Sequence, residues 1–276
     1  MNVINLHTLN EYPATEVYHE LNEAQLSHFY EPAPGLFIAE SPNVIIRALD
    51  GGYQPESFLV KTEELDTLQD MLTGYPDLDG VPVYAGDEKL LSVITGFHLT
   101  KGIFSAMRRK SLPEVSDLIA DKHRIAVLED VTNPTNVGAI MRCAAALNME
   151  AVILSGSCAD PLYRRACRVS VGTCFQIPWT FFKQGTVKER MNILHDAGFR
   201  TASLALTDDS VSILDKKLKQ SDRLALILGN EGYGLPGEVL TLSDYTVKIP
   251  MSDGIDSLNV AAAAAVAFWE AGRKEI

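Results

Sequence analysis

The 276-residue sequence predicts an α/β protein of two domains, the second built on a parallel sheet. Three observations point this way. Apolar runs of strand length alternate with helix-spaced segments along most of the chain. The basic stretch Arg108-Arg109-Lys110, closed by Pro113, interrupts that alternation, giving a first domain over 1–112, a linker over 113–120 and a second domain over 121–276. Late in the chain, the apolar runs 224–228 and 247–249 stop at Gly229-Asn230-Glu231-Gly232 and at Pro250, and polar loops follow. Strand ends that spill into such loops are where an open α/β sheet holds its ligand.

In chain order, Val17, Leu21, Leu26 and Phe29 predict a helix over 16–30, ended by Pro32 and Pro34. Strands are expected over 36–40, 57–60, 81–84 and 103–107. Helices over 42–49, 63–72 and 87–95 lie between them. Pro42 suits a helix start and Gly51-Gly52 a helix end. A short linking helix fits 113–120. The second domain opens with a strand over 124–128 and a helix over 136–147, with Asn136 as its N-cap and Pro134 stiffening the approach. A strand over 151–154, a three-arginine helix over 161–168, a strand over 175–182 and a helix over 187–197 follow. Next come a strand over 200–206, a helical segment over 212–218, the two late strands and an alanine-rich helix from about Ser257.

Composition narrows the function. No apolar run approaches the ~20 residues of a membrane span, and the N-terminus lacks the basic and apolar regions of a signal peptide. Cys143, Cys158, Cys167 and Cys174 match no zinc spacing, which suits reduced thiols in a cytoplasmic protein. No histidine has a metal-ligand neighbour, and no Gly-x-Ser-x-Gly elbow occurs. A net charge of −12 argues against general affinity for nucleic acid. Phosphate contacts would have to come from Lys101, from Arg108 to Lys110, from Lys122-His123-Arg124, or from Arg164, Arg165 and Arg168. A solvated face is the alternative for each group.

Three motifs carry chemistry. In Asn136-Val137-Gly138-Ala139-Ile140-Met141-Arg142, Gly138 and Arg142 share a helix face. Arg142 leans over a position without a side chain, leaving room for a ligand or a second chain; a surface ion pair is the plainer alternative. Gly229-Asn230-Glu231-Gly232-Tyr233-Gly234 lets backbone approach a ligand, or is a tight turn. It is not the dinucleotide fingerprint, which argues against a nucleotide-binding oxidoreductase. In Ile249-Pro250-Met251 followed by Asp253 to Asn259, Ser257 and Asn259 sit where free backbone N–H groups of the last helix point into the crevice. Alternatively Asp256 or Ser257 only caps that helix.

Asn136-x-Gly138-x-x-x-Arg142, Gly229-Asn230-Glu231-Gly232, Ile249-Pro250-Met251 and Ser257-Leu258-Asn259-Val260, in that order, resemble the SpoU (TrmH-like) branch of the SPOUT RNA methyltransferases over residues 124–270. The first domain is similar, more loosely, to the ribosomal-protein-like α/β RNA-binding domain many of these enzymes carry. The family often has Glu-Gly after the first strand of that domain, where this chain has Glu40-Ser41. The resemblance implies a SPOUT domain whose C-terminal segment forms a deep trefoil knot, a homodimer with the site at the subunit interface, and methylation of a ribose 2′-OH in rRNA or tRNA. S-adenosylmethionine would be held around Gly229, Asn230, Gly232, Ile249, Met251 and Leu258, with Leu204 and Leu206 closing the adenine pocket. The implied catalytic set is Asn136, Arg142, Glu231, Ser257 and Asn259. Arg142 would meet the hydroxyl proton or, since a guanidinium does not give up its own proton in proteins, position phosphate, and Asn136 would orient it. The sulfonium carries the methyl group, so no metal is required. A non-catalytic RNA-binding protein on the same fold is the alternative function.

Overall fold

Alternating strands and amphipathic helices build two separate sheets. A computed structural model of the chain describes residues 1–8, 12–95, 102–252 and 257–272. The first sheet draws on β1 (Asn2–Asn5), α1 (Glu23–Ser27), β2 (Leu36–Glu40), α2 (Pro42–Asp50), β3 (Pro55–Lys61), α3 (Leu65–Leu72), β4 (Pro82–Gly86), α4 (Glu88–Thr95) and β5 (Ile103–Arg108). The remainder runs α5 (Val115–Ile119), β6 (Arg124–Leu128), α6 (Pro134–Ala146), β7 (Ala151–Leu154), α7 (Arg164–Val169), β8 (Trp179–Phe181) and α8 (Val187–Asp196). It continues with β9 (Arg200–Leu204), β10 (Val211–Ser212), α9 (Lys216–Gln220), β11 (Leu224–Leu228), α10 (Gly237–Leu242), β12 (Tyr245–Lys248) and α11 (Val260–Ala271). Among the described residues no helix is long and apolar enough to cross a membrane.

The first unit comprises Met1–Ser111 together with Leu162–Phe175. Its sheet has the order β1-β4-β3-β5-β2, with β5 antiparallel to both β3 and β2. Residues 162–175, expected in the second domain, pack here instead, and polar and aromatic contacts explain why. Buried Glu40, at the end of β2, accepts from Arg164 Nε at 3.0 Å and pairs with Arg168 Nη1 at 3.2 Å. Phe175 stacks against Phe37 and Tyr53 with ring centroids 5.6 and 5.1 Å away. Gly172, at φ +78°, lies where a Cβ would come within 3.2 Å of the Arg47 side chain. Ser41, where the family often has glycine, adopts φ +87°, a conformation that strains a side-chain-bearing residue.

The second unit comprises Leu112–Pro161 and Gln176–Ile276. Its seven strands are all parallel, in the order β10-β12-β9-β11-β6-β7-β8. The central strands read as unbroken apolar runs because both faces are covered. Ile125, Val127, Ala225 and Ile227 join a core with Met191 and Leu194 of α8 and Val239 of α10. Elsewhere α6 packs against α11, and a Cβ at Gly272 would fall 2.2 Å from the Leu147 carbonyl oxygen.

Several expected elements are corrected. The helix over 16–30 is a 3-10 turn, Pro13–Tyr18, followed by α1, because Asn22 and Gln25 form a capping box that starts a new helix. The strand over 175–182 shrinks to Trp179–Phe181, and Thr173–Phe175 is a 3-10 turn. The helical segment 212–218 is displaced, since Val211 and Ser212 pair with β12 and Asp215 caps the helix after them. Asn133, not Asn136, caps α6, accepting from the Thr135 amide at 2.9 Å. The last helix starts at Val260 with Asn259 as its cap, not at Ser257.

Candidate active site

The C-terminal ends of β9, β11 and β12 open into a cavity of about 660 Å³. Leu204, Leu206, Gly229, Asn230, Gly232, Ile249, Met251 and Leu258, expected around the cofactor, all line it, as do Glu231, Ser257 and Asn259. Asp253, Gly254, Ile255 and Asp256 lie outside the described residues.

The loop after β11 is built to hold its shape. Asn230 and Gly234 exchange both backbone hydrogen bonds at 3.0 Å. The Asn230 Oδ1 accepts from the Gly232 amide at 2.7 Å, while its Nδ2 donates to the Asp130 carbonyl at 2.8 Å. Gly229 is required sterically, because a Cβ there would lie 2.6 Å from Gly234 backbone atoms. Behind the loop, Glu129 at the end of β6 accepts two hydrogen bonds from Arg190 at 2.9 Å. Burial raises the Glu129 pKa even against that arginine.

Three segments distant in sequence meet at this cavity. Capping by Asn133 leaves the Asn136 side chain free to turn inward. Its Nδ2 donates to Glu231 Oε1 at 2.5 Å, and its Oδ1 accepts from Asn259 Nδ2 at 3.2 Å. Asn259 in turn caps α11 by accepting from the Ala261 amide at 2.9 Å. A carboxylate only accepts, so the orientation of each amide follows from the chain of bonds. The Glu231 carboxylate is thus gripped by a neutral amide at an exposed position.

Arg142 is placed differently. It is exposed on α6, does not line the cavity, and its side chain makes no hydrogen bond or ion pair among the described residues. Among the described residues the Asn136 amide bonds to Glu231 and Asn259. The motif reading also passed over Tyr233 and Lys248, which line the cavity, and Asp130, which braces its loop. Their signal was position: Tyr233 lies between two motif glycines, and Lys248 ends a strand.

The basic clusters are largely spent on internal partners. Arg108 pairs with Glu56 at 2.6 Å, Arg109 donates to the Leu36 carbonyl at 3.0 Å, and Lys110 donates to that of Gly51. Arg124 donates to the carbonyls of Ala271 and Asp222. Lys101 lies outside the described residues.

The model of the SpoU rRNA Methylase family matches residues 123–269. The chain belongs to that family. An uncharacterized tRNA/rRNA methyltransferase of Mycobacterium bovis is 36% identical over 262 residues, covering 95% of this chain and 89% of that protein. A 23S rRNA guanosine 2′-O-methyltransferase of Bacillus subtilis is 27% identical over 235 residues, covering 84% of this chain and 87% of that protein. The AdoMet-bound rRNA methyltransferase of Sinorhizobium meliloti shares the fold, with TM-score 0.80 at 24% identity over 98% of this chain and 97% of that one. The matched span contains the whole parallel sheet and the cavity at its strand ends.

Proposed function

We propose that this SpoU methylase is an S-adenosylmethionine-dependent RNA methyltransferase acting on a ribose 2′-OH in rRNA or tRNA. The observation that carries the reading is the joining of Glu231 and Asn259, which line one cavity, through the buried Asn136 amide, so that three distant segments meet beside it. Relatives named as 2′-O-methyltransferases support it. The residues present fit the cofactor. The volume suits a nucleoside-sized ligand. Leu204, Leu206 and Leu258 offer apolar walls for adenine, glycine backbone can approach closely, and the Glu231 carboxylate complements a cationic ligand. When bound, the cofactor supplies an electrophilic methyl group.

A ribose hydroxyl is a weak nucleophile and must be oriented and relieved of its proton. Glu231, Ser257 and Asn259 supply hydrogen bonds to the hydroxyl and its surroundings, with Asn136 fixing Glu231 in place. Arg142, a cation with no acid partner among the described residues, meets the target nucleotide at its hydroxyl or the adjoining phosphate. The unit carrying 1–111 contributes RNA recognition by shape, as suits a chain of net charge −12. The protein works in the cytoplasm as a homodimer with a deep trefoil knot in its parallel-sheet unit. Exposed Val266 and Trp269 of α11 offer an apolar surface for a second copy.

The test is incubation with radiolabelled S-adenosylmethionine and RNA from a strain lacking the enzyme. Label in a 2′-O-methyl nucleotide is expected, and label in a base would contradict the reading. Arg142→Ala should lower the initial rate about 10²–10⁴-fold while the protein still binds the cofactor.

A further inference from the structure

We propose that the ring of Tyr233 is the stacking platform for the nucleobase of the nucleotide being methylated. This role for Tyr233 presupposes methyl transfer to RNA at the same cavity. Tyr233 lines that cavity and is 67% exposed, the most exposed large hydrophobic side chain among the described residues. An aromatic face left in water is the kind of surface a splayed-out base covers.

The ring stands on a fixed support. It sits between Gly232 and Gly234, the latter at φ +74°, in the turn that Asn230 and Gly234 close by mutual hydrogen bonds. The Tyr233 amide donates to Asn230 Oδ1 at 3.4 Å, and the Asn230 side chain ties the turn to the Asp130 carbonyl. The Tyr233 hydroxyl is held above the usual phenol range, by desolvation and then by the Asp130 carboxylate near it. Ser157 donates a hydrogen bond to that same carboxylate. The backbone that carries the ring is therefore restrained before any ligand arrives, so little main-chain ordering is left to be lost on binding.

Geometry places a base here. In a nucleotide the base hangs from the carbon next to the one bearing the 2′-OH. A hydroxyl delivered to Glu231 therefore carries its base within one sugar ring's width. Glu231 and Tyr233 are two residues apart in the same closed turn, and both border the cavity. Every base has a π-face, so the ring supplies affinity without demanding one base identity.

The experiment compares wild type, Tyr233→Ala and Tyr233→Phe using two probes: S-adenosylmethionine alone by calorimetry, and total RNA from a strain lacking the enzyme in initial-rate assays. Tyr233→Ala should raise KM for RNA about 5- to 100-fold, while cofactor Kd and melting temperature stay at wild-type values. Tyr233→Phe keeps the ring and should retain a near-wild-type KM. A wild-type KM for RNA in Tyr233→Ala would overturn the proposal. So would a cofactor Kd weakened as much as the RNA KM, which would make the ring a cofactor wall. Wild-type protein that binds cofactor but methylates no RNA would overturn the methyltransferase reading, and this role with it.

Discussion

Two carboxylates, one in each unit, gather distant parts of the chain, and they do so in opposite ways. Glu40 is buried in the first unit and faces two arginines from residues 162–175. Glu231 is exposed at the cavity of the second unit and is held by the neutral amide of Asn136. A buried acid must be neutralised, and the cations that do so become part of the structure. An exposed acid fixed by an amide has no cation of the fold beside it among the described residues and is left facing a ligand. The contrast separates an acid that joins segments from one that meets substrate, although both lie at sheet-strand ends and both have long-range partners.

The contrast can be sharpened by changing the first unit alone. Glu40→Gln removes the carboxylate that Arg164 and Arg168 share. Because Arg168 is half exposed and solvent screens it, the expected loss is about 1–3 kcal/mol, read from the urea midpoint, with cofactor Kd unchanged. A wild-type midpoint would break the assignment of Glu40 as a structural acid. A smaller effect is expected at its neighbour. Ser41 holds φ +87°, so Ser41→Gly should relieve strain and gain about 1 kcal/mol, net of the extra entropy of the unfolded chain. A lower melting temperature would contradict that.

The smallest effect concerns a third acid, Asp244, in the second unit. Burial pushes its carboxyl up, but hydrogen bonds from the Thr201 amide at 2.9 Å and Arg200 at 2.6 Å outweigh burial and hold it below the usual carboxylate range. Its folded pKa is lower than its unfolded pKa. The contribution is therefore present above about pH 4 and lost as pH falls through the folded value. Asp244→Asn should flatten the acid limb of the stability–pH curve by less than about 1 kcal/mol, discounted for solvent screening. An unchanged limb would remove Asp244 from the set of structural acids.

These acids also show what was legible in the chain. The strands Leu36–Glu40, Arg124–Leu128, Ala151–Leu154 and Leu224–Leu228 follow from apolar runs alone, because strands covered on both faces leave an unbroken hydrophobic record. Motif spacing singled out the residues that gather at the cavity. It did not assign Asn136 its place. A cap and a ligand-facing amide look alike in sequence, and the choice fell to Asn133, two residues before Thr135, whose amide it binds. The packing of residues 162–175 on the first unit was equally hidden, since the pairing of Glu40 with Arg164 spans 124 positions. Short elements such as β1 and α10 were missed because four to six residues carry too little periodicity to register.

The most direct test of the contrast is the initial rate of methyl transfer by Glu231→Gln, measured beside its urea midpoint. The account predicts a rate lowered by about 10²-fold or more with a wild-type midpoint, because this acid serves the reaction and not the fold. A wild-type rate, or a rate loss matched by a fallen midpoint, would contradict it.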